Sequence, residues 1–387
     1  MSFEQLQAKN AHNGRMSKSA ALSTARMLEL SIIALAIALA LIPVRAVWIE
    51  AWYSTSLYPR LERLFTPLSN RIPFALLDPL VVVAVILVLW AVFAAVASAL
   101  SARSPGPAGR MLVHIAAAAA GLYVLFLVLW GFNYRRVQMT DRLSLDVPTP
   151  SRAQVAELAS MAVAELNRLY PAAHSPRPSV PEWQDAALRA AFVDVQRALS
   201  DAPQAVPGRL KHSLLGPYFR WAGVDGMVNP FGLEIIANPA LLPFERPFVA
   251  AHEWAHLAGY ADESEANFVG WLTCVRAEPR HQYSAWFYLY WQVSGEVDRE
   301  ERARLNASLG DGPRRDIAAV IARLRAGEIP ALQEASWQVY DKYLKANRVD
   351  AGVRSYSEVV TLLLRARFGP DWTPIRRNVP ASASSAR

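Results

Sequence analysis

Three long apolar stretches occupy the first third of the chain, and alternation of polar and apolar positions takes over only after them. Residues 30–44 carry no charge between Glu29 and Arg45, and residues 79–102 and 111–134 carry none at all. A helix rises 1.5 Å per residue, so roughly 20 apolar residues cross about 30 Å of hydrocarbon. The second and third stretches meet that length. The first meets it if Arg45 snorkels and the helix continues to about Trp48. Trp48, Trp52, Trp90, Trp130 and Tyr134 lie inside these stretches or near their ends, as interfacial anchors do. A buried core helix is the competing reading for each stretch. A cleaved signal peptide competes for the first, since Lys9, Arg15, Lys18 and Arg26 precede it, but Arg45 and the bulky residues after it make a poor cleavage region.

From Asp141 onward the pattern is that of a mostly helical soluble domain. Ser151 and Gln154 form a capping-box signature opening a helix towards Tyr170. A proline-punctuated connector covers 171–181. Pro181-Glu182-Trp183 then starts an amphipathic helix to about Leu199. The clearest strand signal is Leu233-Glu234-Ile235-Ile236-Ala237, short and partly β-branched between Gly232 and Asn238-Pro239. Further helices are expected at about 314–326, 331–346 and 355–367. The aromatic run Tyr283, Trp286, Phe287, Tyr288, Tyr290 and Trp291 reads as a packed helix close to a bilayer surface. The chain thus divides into a tail (1–26), a membrane region with three transmembrane helices (27–134), a folded domain (135–375) and a flexible tail (376–387).

Charge adds an orientation. The four cations of the N-terminal tail and the short basic connection 103–110 favour the cytoplasmic side. With three spans the folded domain then lies outside the cytoplasm, although Arg60, Arg63, Arg71, Arg135, Arg136 and Arg142 pull the other way. The net charge of +7 comes from arginines flanking apolar stretches, without the basic stripe interleaved with aromatics that nucleic-acid binding requires. Cys274 is the sole cysteine. It excludes an intrachain disulfide and a thiolate zinc site, so a metal would fall to His, Asp or Glu.

Such a set exists. Pro247 sits where a helix starts and Gly259 where one stops. Between them, His252-Glu253-Trp254-Ala255-His256 places two imidazoles one turn apart on the same face. Glu253 is rotated by about 100°, the position from which a carboxylate takes a proton from water activated by a metal ion. Two ligands do not hold a zinc ion, and Asp262, Glu263 and Glu265 follow as candidates for a third. Asp262 also reads as an N-cap answered by Glu265 three residues on, which leaves Glu263 free to face the first helix. The order of preference is therefore Glu263, Glu265, Asp262. Ala266, Asn267 and Gly270 on the same face as Glu263 allow close packing, and Asn267 can orient a ligand. Tyr260, His281 and Tyr283 are candidate oxyanion donors.

The run His252-Glu253-Trp254-Ala255-His256-Leu257-Ala258-Gly259-Tyr260-Ala261-Asp262-Glu263-Ser264-Glu265-Ala266-Asn267-Phe268 resembles the core of a bacterial membrane-protein family, domain of unknown function 3810. The resemblance extends to Pro230-Phe231, Glu234, Tyr283-Ser284, 339–345, Ser355-Tyr356-Ser357 and the three spans. It implies a zinc-dependent peptidase of the HExxH, gluzincin-like type: one Zn²⁺, a peptide or protein substrate, and a multi-pass protein of the bacterial inner membrane. The implied fold is mainly α, with three N-terminal transmembrane helices followed by a gluzincin-like α+β metallopeptidase domain with a small sheet. Glu263-x-x-Ala266-Asn267 resembles the Glu-x-x-Ala-Asp run of gluzincins, whose Glu is the third ligand; Asn267 departs from their Asp. In such peptidases an edge strand aligns the substrate, the role expected here of 233–237. A zinc-binding membrane sensor or scaffold that cleaves nothing is the rival reading, and an intact Glu253 argues against it. A transporter is a second rival, but the spans hold little polar matter beyond His114.

Overall fold

The computed structural model describes residues 24–102, 106–146, 149–176, 178, 180–349, 352 and 358–377. Most of the two expected tails, Arg103 and Ser355-Tyr356-Ser357 lie outside the described residues. The fold is mainly helical with one small three-stranded sheet.

Three helices are long and apolar enough to cross a membrane and point to a membrane protein: α1 (Thr24–Leu41), α3 (Leu77–Ala102) and α4 (Gly106–Leu129). Their apolar windows of 18, 25 and 21 residues rise about 27, 38 and 32 Å. A buried core helix is excluded for the second span, because none of its apolar window is buried and Phe93 is 72% exposed. The described residues of 24–43 and 80–128 form one compact unit.

The second unit takes in the described residues from Leu129 to Arg377 and also Val44–Pro79, the segment between the first two spans. Residues 44–79, within the expected membrane region 27–134, thus group with the chain that follows the third apolar helix. Within that segment, π-helical turns at Ile49–Leu57 run into α2 (Tyr58–Asn70). Its buried positions are Tyr58, Pro59, Glu62, Thr66 and Ser69, and the three polar ones, Glu62, Thr66 and Ser69, follow helical spacing. They pair by hydrogen bond rather than by apolar packing. Thr66 donates to the Leu233 carbonyl (2.9 Å), Glu62 accepts from the Val206 amide (3.0 Å), and Asn70 brackets Pro207 and Arg209.

The sheet has the order β1 (Leu210–Lys211), β3 (Glu234–Ala237), β2 (Gly226–Asn229). β1 runs parallel to β3, with Leu210 opposite Ile235, and β2 runs antiparallel, with Gly226 opposite Ala237. The strand expected at 233–237 is thus the central one, buried along its length and paired on both sides. It has no free edge to offer a substrate; among the described residues the edges belong to β1 and β2. Lys211 and Glu234 form a fully buried ion pair (2.7 Å), and Glu234 also accepts from the amides of Leu76 and Leu77 and from Asn229. One carboxylate thereby ties the central strand to the first turn of α3.

The capping box at Ser151 opens α5 (Arg152–Ala173). The helix expected from 181 begins later: Glu182–Gln184 is a single 3₁₀ turn, and Asp185 caps α6 (Ala186–Leu199) by accepting from the Ala187 and Leu188 amides. A polar N-cap satisfies orphan amides that Pro181 could not. After α7 (Gly216–Ala222) and the sheet come α8 (Arg246–Leu257), α9 (Glu263–Val275) and α10 (Pro279–Glu296), the middle of the core. Every residue of α9 is buried, with Trp254 and Trp271 among the largest side chains fully enclosed. The aromatic run expected as a packed helix lies on α10. Then follow α11 (Arg299–Ser308), capped by Asp298 and not anticipated, α12 (Asp311–Gly327), α13 (Pro330–Ala346) and α14 (Glu358–Arg365).

Candidate metal centre

The first helix of the site is held at both ends. Pro247 occupies the first turn of α8. At the other end the Tyr260 amide reaches the Ala255 carbonyl (3.1 Å) and the Gly259 amide the His256 carbonyl (3.0 Å), the paired bonds of a Schellman cap. Gly259 has φ +85°, and a Cβ there would also lie 3.0 Å from Asn133 Oδ1. The carbonyls at and beyond this last turn, which no helix amide can satisfy, are taken by distant side chains. Trp130 Nε1 donates to His256 O (3.0 Å), Tyr58 to Leu257 O (2.7 Å) and Arg136 to Gly259 O (2.9 Å). Arg136 is anchored in turn by a bidentate pair with Glu50. The segment before the second span and the one after the third thus clamp the end of α8 that carries His256.

The chain reverses over Gly259–Asp262 and α9 packs back on α8. A Cβ at Gly270 would lie 3.0 Å from the His252 amide nitrogen, so a larger residue there would press the two helix backbones apart by a few tenths of an ångström. His252, His256 and Glu263 converge as a result. The Nε2 atoms of the two imidazoles are 3.1 Å apart, and Glu263 Oε2 lies 3.4 Å from one and 3.5 Å from the other. Two donor atoms about 2.05 Å from a tetrahedral ion are separated by about 3.3 Å. The three atoms therefore make one face of such a site without rearrangement. His256 Nδ1 donates to the Tyr260 carbonyl (2.7 Å), which turns the lone pair of Nε2 inward. Glu263 Oε2 is buried and has no hydrogen-bond partner among the described residues, a cost that a bound cation removes. The three side chains form a buried cluster that could hold a metal ion.

The electrostatics favour a cation. Burial would raise the Glu263 pKa, but the two imidazoles outweigh it and hold the carboxyl well below the usual range. For His256, burial works downward while Glu263 and Glu253 more than compensate, leaving it at about 9. Protons and a metal ion compete for these nitrogens, and a dication neutralises more of the field. Glu253 is 3% exposed. Burial raises its pKa, Glu263 and Asp225 add to the rise, and the imidazoles oppose it. Its carboxylate lies against the first residue of β2: a Cβ on Gly226 would stand 2.5 Å from Glu253 Oε1.

The other expected site residues are turned elsewhere. Asp262 caps α9, accepting from the Ser264 amide (2.9 Å) and, at 3.4 Å, from that of Glu265. Glu265 does not return a capping bond; it accepts from the Met139 amide and lies 3.8 Å from Arg142, and burial raises its pKa to about 7. It is thereby committed to the 139–142 turn. Asn267 is buried one turn beyond Glu263, with its amide nitrogen unpartnered among the described residues. The Tyr260 ring is held between the guanidinium groups of Arg136 and Arg142, at 5.1 and 5.6 Å. His281 bonds Asp185 (3.1 Å), and Tyr283 donates to Asp316. Among the described residues no hydrogen bond joins the side chains of Tyr260, His281 or Tyr283 to the ligand cluster.

Two contacts were not anticipated. Tyr340, on α13, donates its phenolic hydrogen to Glu263 Oε1. Tyr288 stacks on Phe248 (3.7 Å, 14°), and its buried hydroxyl has no partner among the described residues. Tyr340 falls within the 339–345 segment of the family resemblance, the only signal that pointed to it.

The chain matches the family described as protein of unknown function DUF3810 over residues 53–364 and belongs to it. The match takes in the second and third spans and the whole metal cluster, while α1 lies outside it. No curated protein and no solved structure matches the chain.

Proposed function

We propose that this member of the DUF3810 family is a membrane-anchored, zinc-dependent peptidase with a gluzincin-like site. The observation that carries the reading is the convergence of His252, His256 and Glu263 into one ligand face beside a separate, buried carboxylate, Glu253. Two imidazoles and one carboxylate are a set that leaves a coordination position open for chemistry. A zinc ion held there would supply Lewis acidity, lowering the pKa of water to about 7 and polarising a carbonyl.

The chain's own residues do the rest. Glu253 takes the proton from the attacking water as the new C–O bond forms, then passes it to the leaving amine as the C–N bond breaks. Its buried position, which favours the protonated form, suits a group that must hold a proton between the two steps. The β2 edge supports an extended substrate: among the described residues Gly226–Asn229 pairs with β3 on one side only, and its first residue lies against Glu253. The role expected of 233–237 thus passes to the neighbouring strand. The basic N-terminal tail and 103–110 connection favour an extracytoplasmic site in the bacterial inner membrane.

The test uses full-length protein in detergent. Stoichiometric zinc is expected by elemental analysis, with zinc-dependent cleavage of a library of quenched fluorescent peptides. Glu253→Gln should keep the metal and lose hydrolysis by about 100- to 10,000-fold, the range typical of a general base. Protein without metal sinks the reading at its first step. Zinc without peptide cleavage transfers the site to a binding or sensing role.

A further inference from the structure

We infer that Tyr340 is a positioning residue for the metal centre, holding Glu263 in the orientation that presents one oxygen to the imidazoles. The inference rests on the metal-site reading above. A carboxylate can offer a metal either oxygen or both, and an isolated glutamate side chain rotates freely among these modes. Glu263 is 2% exposed, so water is not at hand to fix it. Its two oxygens have unlike surroundings. Oε2 faces His252 and His256 at 3.4 and 3.5 Å, while Oε1 accepts the hydrogen of Tyr340. The phenol therefore occupies the oxygen that does not point at the ligands, and a rotation that exchanged the two would break its hydrogen bond.

Tyr340 is itself held in place. Its ring stacks on Tyr343 (6.0 Å, 18°), which meets Tyr134 edge-on (6.0 Å). The helix that carries it, α13, is fixed by Leu344, fully buried, by the Tyr218–Ser336 hydrogen bond (3.1 Å), and at its start by Ile329, whose amide donates to Trp221 (3.0 Å). Leu344 is the only residue of α13 that is buried. The helix adds little to the core, and the Tyr340 hydroxyl ties it directly to a ligand of the cluster.

The experiment is Tyr340→Phe in the full-length protein, which keeps the ring and deletes one oxygen. Zinc affinity is measured by competition with a chelator, and cobalt is substituted to read coordination from its visible spectrum. Loss of an outer-shell partner of a ligand lowers metal affinity by about 10- to 100-fold. That loss is expected, together with a changed cobalt spectrum and an unchanged melting temperature of the metal-free protein. Tyr343→Phe, on the same helix and in the same stack, should leave affinity intact and controls for a loosened α13. Equal affinity and an identical spectrum in Tyr340→Phe overturn the inference, as does an equal loss in both variants. Wild-type protein that binds neither ion overturns the metal-site reading and this one with it.

Discussion

Gly226 offers the sharpest test of the proposed chemistry, because it touches the proposed base without being part of it. It is the first residue of β2 and lies opposite Ala237. Its backbone is not in the left-handed region, so alanine meets no intrinsic strain there. The obstacle is space. The added Cβ would stand 2.5 Å from Glu253 Oε1, 3.0 Å from Cδ and 3.1 Å from Cγ. Ordinary contacts of carbon begin near 3.5 Å, so the carboxylate must withdraw by roughly 1 Å. The atoms that give way are the end of one side chain, so the stability cost should stay near the low end of the ~1–3 kcal/mol typical of overpacking. A misplacement of about 1 Å in a reacting group costs about 100-fold in rate. Gly226→Ala should therefore bind zinc as the wild type does, melt within a few degrees of it, and cleave the peptide library about 100-fold more slowly. Shortening the base removes the 2.5 Å contact and leaves only the milder ones near 3 Å, so adding Gly226→Ala should slow Glu253→Asp by far less than it slows the wild type. Full activity in Gly226→Ala refutes the placement of Glu253 at the reacting atoms.

Two further expectations concern the framework. Lys211→Met removes the cation from the buried pair with Glu234 and leaves a carboxylate with amide donors only; a loss of about 3–5 kcal/mol is expected, and denaturant unfolding of the detergent-solubilised protein that moves by under 1 kcal/mol would contradict it. Glu62 is pushed up to about 8 by burial, against the hydrogen bonds of Val206 and Thr66 and the charge of Arg63. The folded state then holds a proton that the unfolded chain, with its ordinary value of 4.5, has released, so stability should fall as pH rises from about 4.5 to 8 and level off above it. Glu62→Gln should flatten that slope in melting curves, and an unchanged slope would show that the group is not the source.

What was legible in the sequence is what local rules govern. Three apolar stretches stand out by length alone, and no tertiary detail is needed to find them. The ligand cluster spans twelve residues, His252 to Glu263. Helical spacing puts the histidines on one face, Gly259 stops the helix, and Asp262, by capping the next one, frees Glu263 to turn inward. Each of those steps acts within a turn or two of its neighbour.

The tertiary structure decided whatever depends on partners farther away. The buried positions of α2 are Tyr58, Pro59, Glu62, Thr66 and Ser69; past the first turn no apolar stripe reveals them, because their partners are carbonyls and amides such as that of Leu233, 167 residues on from Thr66. Whether 233–237 was an edge or a central strand rested on Gly226–Asn229 and on the two-residue β1, segments too short to carry a period. On α10 both faces are apolar or aromatic, so spacing could not tell that His281 and Tyr283 turn to Asp185 and Asp316. Tyr340 reaches Glu263 across 77 residues. A side-chain hydrogen bond of that span is set by how helices pack, and helix packing leaves no local mark on either residue.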